Sequence, residues 1–183
     1  MPDGTDRKRF VPGRRPAAIV GRRQRIHPFT QLLDAMNLLV LLEEIHGVER
    51  RLTTVLSADV AGYSRLMGVD EDGTLGELKT RHDLYVAPLL ARHGGRLIKQ
   101  MGDGFLAEFA SVVNAVNFAV DVQAAADQRN AEVPEALQMR MRVGINLSDV
   151  IADQNDVYGD GVNVAARLQA LSEPGGVCIS ETV

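Results

Sequence analysis

Two aspartates stand where strands should end. Asp59 closes an apolar, β-branched run from Leu52 to Val60, just before the chain turns through Gly62 into a helical segment. Asp103 lies between Gly102 and Gly104, at the tip of what reads as a hairpin. Each alone suits a turn former or a cap. If the first strand neighbours the hairpin, however, the two carboxylates meet at one sheet edge, and hard carboxylate oxygens are what Mg²⁺ or Mn²⁺ prefers. Two such ions about 3.5–4 Å apart clamp an in-line displacement at phosphorus. Asn163 and Arg167 lie four residues apart and share a helix face, beside Ala165 and Ala166, which keep the surface low for a ligand. A planar guanidinium suits a phosphate whose charge grows in a transition state, although a solvated polar face is the plainer account. Lys99 stands between Ile98 and Gln100 on a strand face with Leu97 and Met101, so its charge wants a partner or snorkels to water.

The elements that must position these residues follow from periodicity. Leu52–Val60 reads as a buried strand, and Asp70–Arg92 as helix ended by His93-Gly94-Gly95. Arg96–Met101 and Phe105–Phe109 form the hairpin. Ser111 caps a helix expected to carry Val113, Val116, Val120 and Ala124 on one face. Met139–Ile145 alternates as a strand buried on one side. Val162–Leu171 is expected as a helix with Val164, Leu168 and Leu171 inward, followed by a strand at Gly176–Ser180. Strand, helix, hairpin, helix, strand is the split βαβ order of ferredoxin-like, or palm-type, domains. The expectation is an α+β fold, an antiparallel-rich sheet with helices on one face.

Charge divides the chain. Residues 1–30 hold eight Lys/Arg against two acids, and the remainder holds 12 against 22. Residues 1–28, with Pro2, Pro12, Pro16 and Pro28 among the arginines, are expected as a disordered basic head. Phe29–His46 reads as an amphipathic helix stopped by Gly47, giving a linker at 29–47 before a domain at 51–183. Residues 7–25 form a basic patch for an anionic surface, lipid or nucleic acid, to be tested by salt dependence. The absence of tryptophan weakens any case for stacking on single-stranded nucleic acid, and none is expected as a partner. The most apolar stretch, Leu32–Leu42, is far short of the roughly 20 residues of a membrane span. The single Cys178 allows no internal disulfide, fits a reducing cytoplasm, and reads as a buried small hydrophobe between Val177 and Ile179.

Four motifs in order give a resemblance. Asp59-Val60-Ala61-Gly62-Tyr63-Ser64, Ile98-Lys99-Gln100-Met101-Gly102-Asp103-Gly104, Arg142-Val143-Gly144-Ile145-Asn146 and Tyr158-Gly159-Asp160-Gly161-Val162-Asn163-Val164-Ala165-Ala166-Arg167 resemble the catalytic domain of class III adenylate and guanylate cyclases, above all bacterial ones. The resemblance implies metal binding by Asp59 and Asp103, purine reading by Lys99 with Asp156, and transition-state roles for Asn163, on the ribose, and Arg167, on the phosphate. It further implies a homodimer with two sites, each taking its metal ligands from one copy and the other residues from its partner. Lys99 donates and Asp156 accepts, which matches adenine's ring nitrogen and exocyclic amine rather than guanine's reversed pattern. The implied activity is cyclisation of ATP to cyclic AMP and pyrophosphate with two divalent ions, Mg²⁺ or Mn²⁺, in intracellular signalling. The family usually continues with a helix, two strands and a lysine that contacts the triphosphate, which have no counterpart before Val183. Two expectations stay open on that point: a piece of a longer cyclase, or a weakened cyclase-like domain that binds nucleotide or pairs with a full-length partner.

Overall fold

The computed structural model describes residues 49–153 and 155–183, all within one compact unit. The basic head 1–28, the helix at 29–47 and the anionic-surface patch 7–25 lie outside the described residues.

Strand β1 (Glu49–Val60) occupies the middle of the sheet. Helices α1 (Tyr63–Val69) and α2 (Glu71–Arg81) follow, with Asp70 capping α2 by accepting from the Gly73 amide at 3.0 Å. A π-helical turn, His82–Val86, then leads into α3 (Ala87–Arg92). Pro88 explains that wide turn: it lacks the amide that would continue the ladder, and the Ala87 amide reaches back five residues to the His82 carbonyl. Strands β2 (Gly95–Met101) and β3 (Gly104–Phe109) form the expected hairpin, with Gly102 at φ 62° in its two-residue turn. After α4 (Val112–Asn130) come β4 (Met141–Asp153), β5 (Asp156–Tyr158), α5 (Asp160–Leu171) and β6 (Val177–Ile179).

The strand order is β2-β3-β1-β4-β5, antiparallel throughout, with β6 parallel to β4 at Val143–Ile145. This is the split βαβ, palm-type arrangement, so the first strand does lie against the hairpin. The helices, however, cover both faces rather than one. Leu56, Ala58, Phe105 and Phe109 pack with α4 and the π turn, whereas Val55 and Leu106 pack on the other face with Ala165 of α5. Burial on both faces is why β1 reads as a continuous apolar run and not as an alternation.

Two helix faces differ from the expected ones. In α4, Val113 and Val120 are 65% and 57% exposed, and the buried stripe is Ala115, Phe118, Ala119, Val122 and Ala126. Phe118 decides the rotation, because its ring meets Phe109 at 5.4 Å and Phe105 at 6.3 Å. Burying a phenyl ring outweighs burying a valine at the same spacing. In α5 the inward residues are Gly161, Ala165 and Gln169, while Leu171 is 76% exposed. Gly144 is the cause: a side chain there would strike the Ala165 carbonyl and the Gln169 backbone, so helix and strand meet backbone to backbone along the Gly161, Ala165 and Gln169 face. Cys178 is half-buried on the short strand β6, less enclosed than its neighbours suggest.

Candidate active site

Alternation along β1 sends Val60 toward the α4 face and Asp59 toward the α5 face. There Asp59 stands opposite Arg142 of β4 in the antiparallel register. Arg142 Nε donates to Asp59 Oδ1 at 2.9 Å and Nη2 to Oδ2 at 2.6 Å, a two-point carboxylate–guanidinium pair. The Asp59 hydrogen bond, opposed by partial burial and helped by the charges of Asp59 and Asp103, pushes the guanidinium pKa of Arg142 up. Asp103, in the hairpin turn, accepts from the Val60 amide through Oδ2 at 3.3 Å. Gly104 permits this approach, because a side chain on it would come within 2.6 Å of the Ala58 carbonyl and 3.3 Å of Asp59 Cβ. The two carboxylates predicted to meet therefore share one corner of the sheet. The sequence reading gave Arg142 no role; its signal was a charge on an alternating strand, which needs a partner when half-buried.

Lys99 and Asp156 also meet. Lys99 Nζ donates to both carboxylate oxygens at 3.0 Å, across 57 residues of chain. A β-bulge achieves this: Leu97 pairs with Ala107 and Lys99 with Leu106, which leaves Ile98 as an extra residue. Simple alternation with Leu97 is broken, and Ile98 packs beside Val157 while Lys99 reaches Asp156 next to it. The Asp156 carboxyl is held below its ordinary value, chiefly by the Lys99 hydrogen bond. Tyr158, half-exposed, places its ring centroid 5.9 Å from Lys99 Nζ.

Asn163 and Arg167 are both exposed on the outer side of α5. Among the described residues neither makes a side-chain hydrogen bond or ion pair, and no such bond links them to the two carboxylate sites. The structure thus joins Lys99 directly to Asp156, sets Asp103 on the backbone amide next to Asp59, and leaves Asn163 and Arg167 four residues apart on one helix. No cluster of three or more acidic, histidine or cysteine side chains exists among the described residues. The corner suits a cation by its donor chemistry, hard carboxylate oxygens from Asp59 and from Asp103, the latter bonded to the amide next to Asp59, with the Arg142 guanidinium now holding both Asp59 oxygens.

Comparison with known proteins agrees with this geometry. The family model described as "Adenylate and Guanylate cyclase catalytic domain" matches residues 26–183. "Putative adenylate cyclase 3" of Rhizobium meliloti is 47% identical over 137 residues, 75% of this chain and 23% of that protein. An adenylate cyclase of Streptomyces coelicolor is 34% identical over 134 residues, 72% of this chain and 33% of that protein. The chain thus spans between about a quarter and a third of the length of these curated relatives. An adenylate/guanylate cyclase/hydrolase from Silicibacter pomeroyi superposes with a TM-score of 0.69 at 42% identity, covering 73% of this chain and 78% of that one. The guanylyl cyclase Cya2 gives 0.67 at 27% identity, covering 74% and 78%. Motif order, palm-type sheet and family match together show that this chain belongs to the adenylate and guanylate cyclase catalytic domain family.

Proposed function

We propose that the chain is the catalytic core of an adenylate cyclase, forming 3′,5′-cyclic AMP and pyrophosphate from ATP at two sites shared by a homodimer. One observation carries the choice of ATP: a lysine donor and an aspartate acceptor are held together as Lys99 and Asp156. Adenine presents an acceptor ring nitrogen to Lys99 and a donor amine to Asp156, whereas guanine opposes like to like at both positions. The pair is 39% and 30% exposed, and an ion pair of that kind is worth only about 0–1 kcal/mol, so adenine displaces it at little cost.

Asp59 and Asp103 would hold the two Mg²⁺ or Mn²⁺ ions, which when bound would acidify the ribose 3′-hydroxyl and neutralise the triphosphate. Arg142 must then release the Asp59 oxygens it now occupies. Asn163 orients the ribose. The 3′-oxygen forms its bond to the α-phosphorus as the bond to the bridging oxygen breaks and pyrophosphate departs. Arg167 meets the charge growing on the α-phosphoryl oxygens. The hydroxyl proton passes to water or to a phosphate oxygen of the substrate. An ATP substrate and a signalling product place the reaction in the cytoplasm.

The test is complementation. Asp59→Asn and Arg167→Ala chains are each expected to be inactive with Mn²⁺-ATP as homodimers. A mixed dimer concentrates both defects in one site and leaves the other whole under two-fold symmetry. Mixing equal amounts is expected to restore about a quarter of the parent rate, since half the dimers are mixed and each has one good site. No recovery from folded, dimeric variants refutes the shared site. A folded parent that binds ATP and releases no cyclic AMP supports the non-catalytic alternative instead.

A further inference from the structure

Asp59 and Asp103 share a corner, but their oxygens are differently engaged. Both Asp59 oxygens accept from Arg142, at 2.9 and 2.6 Å. Asp103 accepts only from the Val60 amide, through Oδ2 at 3.3 Å, and no side chain among the described residues bonds to it. A cation can therefore reach an Asp103 oxygen directly. It reaches Asp59 only where a guanidinium already sits.

The backbone around that pair is fixed. Asp59 faces Arg142 in the β1–β4 register, with Ala58 opposite Val143 and Val60 opposite Met141 on either side. The ladder runs one step further, where the Ala61 amide donates to the Arg140 carbonyl at 2.8 Å. On the other edge of β4, the Gly175 amide donates to the Met141 carbonyl at 2.7 Å and the Val143 amide to the Gly176 carbonyl at 3.3 Å. Arg142 thus sits between two anchored neighbours, and its side chain can leave Asp59 by rotation about its own bonds alone. Charge decides whether a divalent ion and the guanidinium can share the carboxylate. The Asp59 hydrogen bond, and after it the charges of Asp59 and Asp103, push the guanidinium pKa up against partial burial, so the competitor carries a full positive charge. A divalent ion bound to Asp59 would lie within a few ångströms of it, and like charges at that range repel even where water screens them. Both side chains are half-buried, which weakens the screening.

We propose that Arg142 is a latch on Asp59: it holds both carboxylate oxygens and yields them to a divalent cation only by exchange, which sets a threshold for metal uptake at this corner. Arg142 acts here as a positioning residue, through Asp59. The role rests on Asp59 and Asp103 serving as the metal ligands of the cyclase reading.

The experiment gives the full 183-residue chain Mn²⁺ alone and reads the free ion by its electron paramagnetic resonance signal. Arg142→Gln removes the charge at similar length and should bind Mn²⁺ about tenfold more tightly than the parent, whereas Arg142→Lys keeps the charge and should stay near the parent. Asp59→Asn added to Arg142→Gln should abolish the gain. An Arg142→Gln affinity no higher than the parent's, a gain that survives Asp59→Asn, or an equal gain in Arg142→Lys each overturns the latch and leaves the metal ligands standing. No uptake of Mn²⁺ by any chain overturns the ligand reading as well. A second measurement needs no variant: the ¹⁵N-labelled parent is titrated with Mg²⁺, and the Arg142 Nε resonance should move along the same saturation curve as the Val60 amide. A saturable shift at Val60 with the Arg142 signal unmoved overturns the exchange.

Discussion

Gly104→Ala is the sharpest probe of how the fold holds the two aspartates. The added methyl would lie 2.6 Å from the Ala58 carbonyl oxygen and 3.3 Å from Asp59 Cβ. An ordinary carbon–oxygen contact needs roughly 0.6 Å more, and β1 cannot supply it by bending, since both its faces are buried against helices. Overpacking of this kind costs about 1–3 kcal/mol. At about 3–4 °C per kcal/mol for a domain of this size, the melting temperature should fall by roughly 3–12 °C. The displaced atoms belong to the Asp59 corner, so turnover should fall by more than tenfold even where the chain stays folded, because small misplacements of reacting groups are expensive. Gly102→Ala is the control. It has a positive φ of 62° but open space around it, so it carries only the left-handed backbone penalty of about 1–2 kcal/mol. Thermal melting and cyclic AMP formation on both variants decide the matter. If Gly104→Ala melts within a degree of the parent, or Gly102→Ala loses more activity, the close approach does not set the geometry of the corner.

Asp59→Asn and Asp103→Asn should each abolish cyclisation; Asp59→Asn also takes the charged partner from Arg142 and should cost about 1–2 kcal/mol, whereas Asp103→Asn, in the turn, should melt near the parent; residual turnover above about a tenth of the parent argues against paired metal ions. Lys99→Glu combined with Asp156→Cys should shift the ratio of kcat/KM for ATP and GTP toward GTP, and an unchanged ratio means that the two do not face the base. Acid should destabilise the chain through Glu77, whose carboxyl is held below its ordinary 4.5, first by Arg129 and then by Arg81 against partial burial. A depressed folded-state pKa gives stability that is full above 4.5 and lost as pH falls through the lower folded value, so denaturant midpoints should drop below that point. Glu77→Gln should flatten this slope and cost about 1–2 kcal/mol at neutral pH; an identical acid profile would show that the group is not linked to folding.

Much of this was legible in local pattern. The order of strands and helices, the hairpin at Gly102-Asp103, the Ser111 cap and the aspartates at strand ends all depend on neighbours within a few residues, where backbone preference and side-chain spacing act directly. The pairing of the first strand with the hairpin followed from the element order, because few topologies join those elements without crossing connections. Tertiary structure decided the rest. Nothing local tells whether the valines or Phe118 will face the sheet in α4, since both stripes have helical spacing and only the three-phenylalanine cluster chooses. The bulge at Ile98 is a property of two strands, and it turns Lys99 toward an aspartate 57 residues away. Arg142 finds Asp59 across 83 residues only because β1 and β4 settle in one register. Sequence assigns residues to elements through short-range forces, and packing between distant elements fixes which of their side chains meet.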